Sequence, residues 1–98
     1  MQVRYRNWRG GGGEIDLICW DRGCWVFVEV KAARGPAAGP PAGWLRQDQQ
    51  RRWRSAATAF LESEDNDRPG APIRFDLVAV VDRAGGPPDL QRFQGVEP

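Results

Sequence analysis

The chain has 98 residues, of which 41% are hydrophobic, including five Trp and four Phe, enough for one core but not for two. No apolar run reaches the roughly 18 residues that a membrane helix requires, and the first residues do not resemble a secretion signal. We therefore expect a cytoplasmic protein without a membrane partner. The absence of histidine excludes Ser/His and Cys/His nucleophile systems and metal sites that use His ligands.

The charged residues are uneven in type and in position, although the net charge is only +1. Of the 14 basic residues, Lys31 is the one lysine and the rest are arginines. Residues 1–61 carry ten basic and five acidic side chains, whereas residues 62–98 carry four and eight. A basic half is compatible with a polyanionic partner such as nucleic acid, but asymmetry of this size also arises by chance.

In chain order, β-branched and aromatic runs predict three strands, one helix and then a further strand with a short edge strand after it. The expected ranges are 2–8, 14–20 and 24–31 for the first strands, 44–61 for the helix, and 73–81 and 90–93 for the last strands. The order βββαβ(β) predicts an α/β fold in one domain over residues 1–98, with a mixed sheet of about four to five strands and one long helix.

The connections differ in composition. Gly10 to Gly13 are expected to form a flexible connector, because no Gly-Lys-Ser/Thr sequence of a phosphate-binding loop follows them. Residues 32–43 are almost wholly Ala, Gly and Pro and predict a mobile loop. Residues 62–72 predict a polar, turn-rich linker.

The second and third strands predict a hairpin that turns on Arg22 and Gly23. In that register Asp16 faces Glu29, and Glu14 faces Lys31, so these four charged side chains share one end of one face. Ile18, Trp20, Trp25 and Phe27 occupy the rest of that face. The opposite face is apolar and is expected to face the core; it carries Ile15, Leu17, Cys19, Val26, Val28 and Val30.

Paired carboxylates without His or thiolate neighbours suit Mg²⁺ or Mn²⁺. Such an ion binds a phosphate oxygen and lowers the pKa of an attacking water, while a lysine beside it orients that water or stabilises the developing charge. Asp16, Glu29 and Lys31 are therefore candidates for phosphodiester hydrolysis. The alternative is a surface face with weak cross-strand salt bridges.

Four segments resemble the YraN family in their order and spacing: RNWR at 6–9, GEIDLI at 13–18, VFVEVK at 26–31 and RFDLVAV at 74–80. This family comprises small bacterial proteins predicted to be endonucleases, similar to archaeal Holliday-junction resolvases, with a restriction-endonuclease-like fold. The resemblance covers about residues 4–81. It implies that Asp16 and Glu29 are metal ligands, with the backbone carbonyl of Val30 as a further one, and that Lys31 is catalytic.

The resemblance also implies Mg²⁺ or Mn²⁺ as cofactor, DNA as substrate, in branched or structured form, and a possible homodimer. The sequence departs from the family pattern in three places. It starts at the expected first strand, so we expect the family's N-terminal helix, with its Glu, to be absent. Gln49 stands where the family usually has Lys or another polar group that faces the site, and the loop before the helix lacks the usual Phe and Glu.

Several other residues have two interpretations. Glu14 is an accessory ligand or, as we favour, the partner of Lys31, and Gln49 either hydrogen-bonds into the site or lies at the helix edge. Asp76 is expected to end its strand or pair with Arg74 rather than bind metal. Four helix arginines are expected to contact phosphates or to form a solvated face: Arg46, Arg51, Arg52 and Arg54.

The cysteines and tryptophans favour structural roles. Cys19 and Cys24 lie diagonally across the hairpin, too far apart for easy disulfide formation, and are expected to be buried free thiols. Trp44 and Trp53 are expected to pack the helix. Trp20 and Trp25 are expected to pack against a missing helix or a dimer partner rather than to stack on nucleic acid.

The sequence is compatible with two specific functional classes and with a third, more general one. The first is a metal-dependent endonuclease. The second is a catalytically degenerate nucleic-acid-binding domain with the same fold, which would bind in a salt-dependent way without cleavage. The third is a protein-interaction domain whose partner covers Trp20 and Trp25.

Overall fold

The computed structural model describes residues 1–34 and 45–98, and this part of the chain contains five strands and one helix. The elements are β1 (Gln2–Gly10), β2 (Gly13–Asp21), β3 (Cys24–Arg34), α1 (Gln47–Glu62), β4 (Ile73–Asp82) and β5 (Asp89–Phe93). The predicted order and the α/β class are confirmed. Residues 32–34, expected in the loop, belong to β3; the rest of that loop, and Trp44, lie outside the described residues.

The strands form one mixed sheet in the order β1-β2-β3-β4-β5. β3 and β4 are parallel, and the other neighbouring pairs are antiparallel. Parallel neighbours require a crossover connection, and α1 lies within that connection. The architecture is compatible with the restriction-endonuclease-like core that the resemblance implies. At 16 residues with four glutamine or aspartate side chains and several arginines, α1 does not meet the length and hydropathy of a membrane-spanning helix.

The β2–β3 hairpin has the predicted register. Its central turn residues, Arg22 and Gly23, have φ angles of 51° and 83°, as in the two-residue turns that match the twist of β-hairpins. Ile18 pairs with Phe27, and the regular pairs extend from Asp21–Cys24 to Leu17–Val28. The charged side chains within residues 14–16 and 29–31 therefore lie just beyond the last regular β2–β3 pair.

The prediction of which hairpin face meets the core is wrong. α1 packs on the face of Ile18, Trp20, Trp25 and Phe27, and the main core forms there around Phe60 of the helix. The opposite face holds a smaller cluster of Cys19, Val26 and Val28. Both faces of the hairpin are apolar away from its charged end, so alternation could not indicate which face the helix would cover. Trp25 is fully buried and Trp20 partly, so both pack within the described chain, and neither requires a second molecule.

Simple alternation along β2 also places Ile15 on the wrong face of the hairpin. Ile15 lies in the main core together with Ile18, three residues along the same strand. Asn7 lies between the pairs Arg6–Leu17 and Trp8–Ile15, and its φ angle of 52° is unusual for a strand residue. A shift in the β1–β2 register lies between Val3 and Tyr5.

The glycines between β1 and β2 form a close contact with α1 rather than a flexible connector. A Cβ atom on Gly13 would come within 2.4 Å of the Arg52 carbonyl oxygen, and one on Gly11 within 2.5 Å of the Ser55 carbonyl oxygen. Only glycine permits such an approach between turn and helix backbone. The turn therefore holds the β1–β2 end of the sheet against α1.

The predicted linker at 62–72 is a connection that binds back onto β1. Arg4 forms a salt bridge with Asp67 at 2.8 Å, and the Trp8 indole Nε1 donates to the Asp65 carboxylate at 2.8 Å. These contacts fix the segment that follows α1.

Candidate active site

Asp16 and Glu29 meet at the end of the hairpin where the regular pairing stops. The Val30 backbone N–H donates to the Asp16 carboxylate at 2.8 Å, so the Asp16 side chain takes a position that a β2 carbonyl would otherwise fill. This bond carries the Asp16 carboxyl group across to β3, within hydrogen-bonding reach of the Glu29 carboxyl group. The structure thus brings together the two carboxylates that the sequence predicts as metal ligands.

The electrostatics of this pair are those of uncompensated negative charge. Burial and the neighbouring Asp16 carboxylate, with a smaller effect of Glu14, raise the pKa of Glu29 to about 7. Lys31 acts in the opposite direction but has the weakest of these effects. At neutral pH the pair therefore has a site for a proton or a cation.

Lys31 follows Glu29 by two residues on β3, which places it on the same face of the strand. The predicted pairing of Glu14 with Lys31 is wrong. Glu14 lies opposite Arg9 in the β1–β2 ladder and forms an ion pair with it at 3.7 Å. The reason is the irregular end of the hairpin: the β2–β3 pairs end before residue 14, while the β1–β2 pairs extend to the glycine turn. Lys31 is therefore left beside Glu29.

The donor set suits a hard divalent cation. Within residues 1–34 and 45–98 there is no cluster of three or more His, Cys, Asp or Glu side chains arranged to hold a metal ion. Asp16 and Glu29 supply two carboxylates, and the predicted carbonyl of Val30 belongs to the residue next to Glu29. Mg²⁺ is commonly held by one or two carboxylates with water and substrate phosphate in the other positions, so these residues fit such an ion.

The Glu29 side chain lines a cleft of about 460 Å³ between the β1–β2 turn and α1. One wall is formed by Arg9, the turn glycines Gly12 and Gly13, and Glu14. The other wall belongs to the start of α1 and the residue before it; it consists of Leu45, Gln49, Arg52 and Trp53. Of the candidate metal ligands, Glu29 therefore lies at the side of a concave surface that is open to solvent.

Gln49 lies at the start of α1 and also lines this cleft. Its Oε1 atom accepts a hydrogen bond from the Arg46 backbone N–H at 3.0 Å, which caps the helix start. The amide oxygen is thus used by the helix, as the helix-edge interpretation expects, while the residue still borders the cleft.

The four helix arginines fall into two pairs. Arg46 and Arg52 both contact Asp48, at 3.2 and 3.3 Å, and these three side chains are largely exposed. Arg51 and Arg54 line a shallow exposed groove with Gln47 and Gln50. Exposed pairs of this kind contribute little to stability, so all four guanidinium groups are available to a polyanion.

Asp76 is a buried carboxylate outside the candidate site. Arg74 and Arg92 contact it at 2.9 and 3.0 Å, and the Gly95 backbone N–H donates to it. Burial alone would raise its pKa, but these donors hold the pKa of Asp76 below its usual range. Pairing with Arg74 is confirmed; Arg92 was not foreseen because it comes from β5.

The cysteines are free thiols, as expected. Cys19 is buried and Cys24 is partly buried, and burial raises the pKa of both thiols. Neither cysteine lines the cleft beside Glu29.

Three features of the cleft escaped the sequence interpretation: Arg9, the turn glycines and the Trp53 indole. Trp53 was assigned to helix packing, which is correct for its ring, since it is 2% exposed and contacts Phe75. The usable signal was the run of four glycines directly before an acidic strand, because such a run permits close approach of a backbone.

The comparisons with known proteins agree with the resemblance. A family profile described as "Uncharacterised protein family UPF0102" matches residues 1–80. A UPF0102 protein of Rhodococcus jostii (strain RHA1) is 40% identical over 94 residues, which cover 96% of this chain and 78% of the relative. A UPF0102 protein of Nocardia farcinica (strain IFM 10152) is 38% identical over 96 residues, with 98% and 74% coverage. A UPF0102 protein of Streptomyces coelicolor is 36% identical over 97 residues, with the same coverage.

Proposed function

On the premise that this chain belongs to the UPF0102 (YraN) family, we propose that it is a metal-dependent endonuclease that hydrolyses phosphodiester bonds in DNA, in particular branched or structured DNA. The observation that carries the proposal is the Asp16–Glu29 pair, in which burial and the neighbouring Asp16 carboxylate raise the pKa of Glu29 to about 7. A carboxylate so perturbed at the side of a cleft is typical of a functional site.

In this proposal Asp16 and Glu29 hold Mg²⁺ or Mn²⁺ together with the Val30 carbonyl. The bound ion would supply Lewis acidity and lower the pKa of a coordinated water. The Val30 N–H keeps the Asp16 carboxylate fixed through its 2.8 Å hydrogen bond, so little reorganisation is needed to bind a cation. Lys31, on the same face, donates to the attacking water or to the phosphoryl oxygens as negative charge develops.

The helix supplies the contacts to the DNA backbone. Arg51 and Arg54 lie on the exposed face of α1, and Arg46 and Arg52 exchange their weak pairing with Asp48 for phosphate oxygens. These contacts carry no base-edge recognition, which agrees with a substrate chosen by its shape rather than its sequence.

The proposal is tested by incubating the purified protein with duplex, forked and four-way-junction DNA in Mg²⁺ or Mn²⁺. We expect cleavage that Asp16→Asn, Glu29→Gln and Lys31→Ala each reduce by about 10²-fold or more, because each removes a group from the reacting centre. Glu64→Gln is the matched control, since Glu64 is exposed and lies after α1, outside the cleft. Mg²⁺ should also raise the melting temperature of the wild type but not that of Glu29→Gln.

Cleavage by Glu29→Gln at the wild-type rate would contradict the proposal. Salt-dependent DNA binding by the wild type with no cleavage on any substrate would instead favour the degenerate nucleic-acid-binding domain. In that case Asp16→Asn should leave binding unchanged, whereas neutralising Arg51 and Arg54 should weaken it.

A further inference from the structure

A groove of about 570 Å³ lies along the outer face of α1, away from the candidate active site. It is bordered by Gly11 of the β1–β2 turn and by a strip of helix residues, namely Arg51, Arg54, Ser55, Thr58, Ala59 and Glu62. Arg51 and Arg54 also line the shallow groove with Gln47 and Gln50 nearer the start of the helix. The two depressions therefore form one continuous polar surface, the outer groove, over the exposed side of α1.

The outer groove and the cleft beside Glu29 lie on opposite sides of α1. At 3.6 residues per turn, Arg51 and Thr58 lie about 180–200° around the helix axis from Gln49, which lines the cleft. Gly11 borders the outer groove, whereas the next two glycines of the turn border the cleft. The inner side of α1 packs on the sheet, so the helix cannot lie in a DNA major groove with backbones on both sides of it. Nucleic acid at the two places therefore belongs to separate segments.

The outer groove carries a surplus of positive charge. Arg51 and Arg54 are exposed, and neither forms an ion pair within residues 1–34 and 45–98, which contain every Asp and Glu of the chain. The carboxylate that lines the groove, Glu62, comes from the last turn of α1, about two turns beyond Arg54. Arg52 on the cleft side differs, because it pairs with Asp48. Two guanidinium groups at the outer groove therefore remain for a polyanion.

The side chains of the outer groove are of the types that contact DNA backbones, since Arg, Ser, Thr and Gln commonly bind phosphate and sugar oxygens. We propose that this groove holds the backbone of a second DNA segment, an arm other than the one that is cut. Arg51 and Arg54 are its charged contacts, and the exposed Ser55 and Thr58 hydroxyls add hydrogen bonds. The inference rests on the proposed function and deepens it, because contacts on opposite sides of α1 suit a substrate whose arms diverge at a branch.

The test compares the affinity of the protein for a four-way DNA junction with that for a linear duplex of equal base-pair number, by fluorescence anisotropy. Ca²⁺ replaces Mg²⁺, so that the Asp16–Glu29 pair keeps a divalent cation while binding alone is followed. Arg51→Gln/Arg54→Gln should weaken junction binding by about tenfold and reduce the steepness of log K against log salt by about 1 per arginine. A linear duplex, which can bind at the cleft alone, should lose no more than about twofold.

The matched control is Arg6→Gln/Arg22→Gln, which removes the same charge. Both arginines are exposed and have no ion pair in the described part of the chain. Arg6 lies beside Leu17 on the sheet face away from α1, and Arg22 lies in the hairpin turn. This control should leave the junction affinity within about twofold of the wild type, because distant exposed charges are screened. Equal effects of the two double variants, or equal losses on junction and duplex, would overturn the inference.

Ser55→Ala/Thr58→Ala tests the hydroxyl contacts. It should weaken junction binding by about threefold without changing the salt dependence, because no charge is removed. An unchanged affinity would overturn these contacts. The outcome is separable from that of the proposed function, because binding is measured without cleavage. Junction binding that depends on Arg51 and Arg54 without cleavage in Mg²⁺ refutes the endonuclease, whereas cleavage with unchanged junction binding in Arg51→Gln/Arg54→Gln refutes the second DNA segment.

Discussion

The two faces of the sheet each carry a buried or partly buried acid, and the two acids have opposite surroundings. On the helix face, burial and the neighbouring Asp16 carboxylate raise the pKa of Glu29 to about 7. On the other face, Asp76 is fully buried between Arg74 and Arg92, and its pKa falls below the usual range. The more buried acid is therefore the ordinary structural one. Burial raises the pKa of both acids; at Asp76 the arginine donors more than offset it, whereas at Glu29 the neighbouring Asp16 adds to it.

The two faces of the sheet also differ in the size of their apolar clusters. The helix face buries aromatic rings around Phe60, including Tyr5, Trp8, Trp25 and Phe27. Beyond Phe27 this core ends, and the glycine turn and the start of α1 leave the cleft that exposes Glu29. The opposite face has a small aliphatic cluster and, in the described chain, no helix over it. The site thus lies where the larger core stops.

The largest loss of stability is expected from a change at Asp76, the acid whose charge is compensated by two arginines. Asp76→Asn keeps the side-chain size but leaves Arg74 and Arg92 without their shared carboxylate, so it should lower the free energy of unfolding by about 3 kcal/mol. Urea denaturation measures this. Asp82→Asn, at the exposed end of the same strand, should change it by less than about 0.5 kcal/mol. Equal stability of the two variants would show that the arginine cage contributes nothing.

The next effect concerns the wall of the cleft. Gly13→Ala would place a Cβ atom 2.4 Å from the Arg52 carbonyl oxygen, so the turn and α1 must separate, at a cost of about 2 kcal/mol. Gly86→Ala is the matched control, because its Cβ would meet nothing within 4 Å. Denaturation of both variants under the same conditions compares them. A stable Gly13→Ala protein would mean that the turn is not held against the helix.

The smallest effect is a pH dependence of opposite sign at the two acids. Glu29 has a folded-state pKa raised from 4.5 to about 7, so its contribution favours folding at low pH and is lost as pH rises through 7. Between pH 5 and 8, in EDTA, the wild type should lose about 1–2 kcal/mol relative to Glu29→Gln, allowing for partial exposure. Asp76, whose pKa is lowered, contributes stability that is lost only as pH falls into the acid range. Parallel stability curves of wild type and Glu29→Gln would show that Glu29 is not perturbed.

Much of the fold and the identity of the candidate site residues followed from local pattern. Arg22-Gly23 sets the hairpin register from Asp21–Cys24 to Leu17–Val28, and extending that register along the strands predicted that Asp16 lies near Glu29. The pattern failed where an outcome depended on a distant element. Both hairpin faces are apolar, so the choice of core face depended on where α1 packs, and Glu14 found Arg9 because the β1–β2 pairing extends further than the β2–β3 pairing.

The sequence by itself determined the element order, the hairpin and the proximity of Asp16, Glu29 and Lys31, because turn geometry and alternation act between near neighbours. Only the tertiary structure decided that Glu29 faces the helix side, that its charge is uncompensated while that of Asp76 is not, and that glycines, Arg9 and Trp53 make a cleft beside it. Electrostatic balance and concavity arise from side chains brought together from distant parts of the chain. No pattern in the local sequence encodes those tertiary contacts.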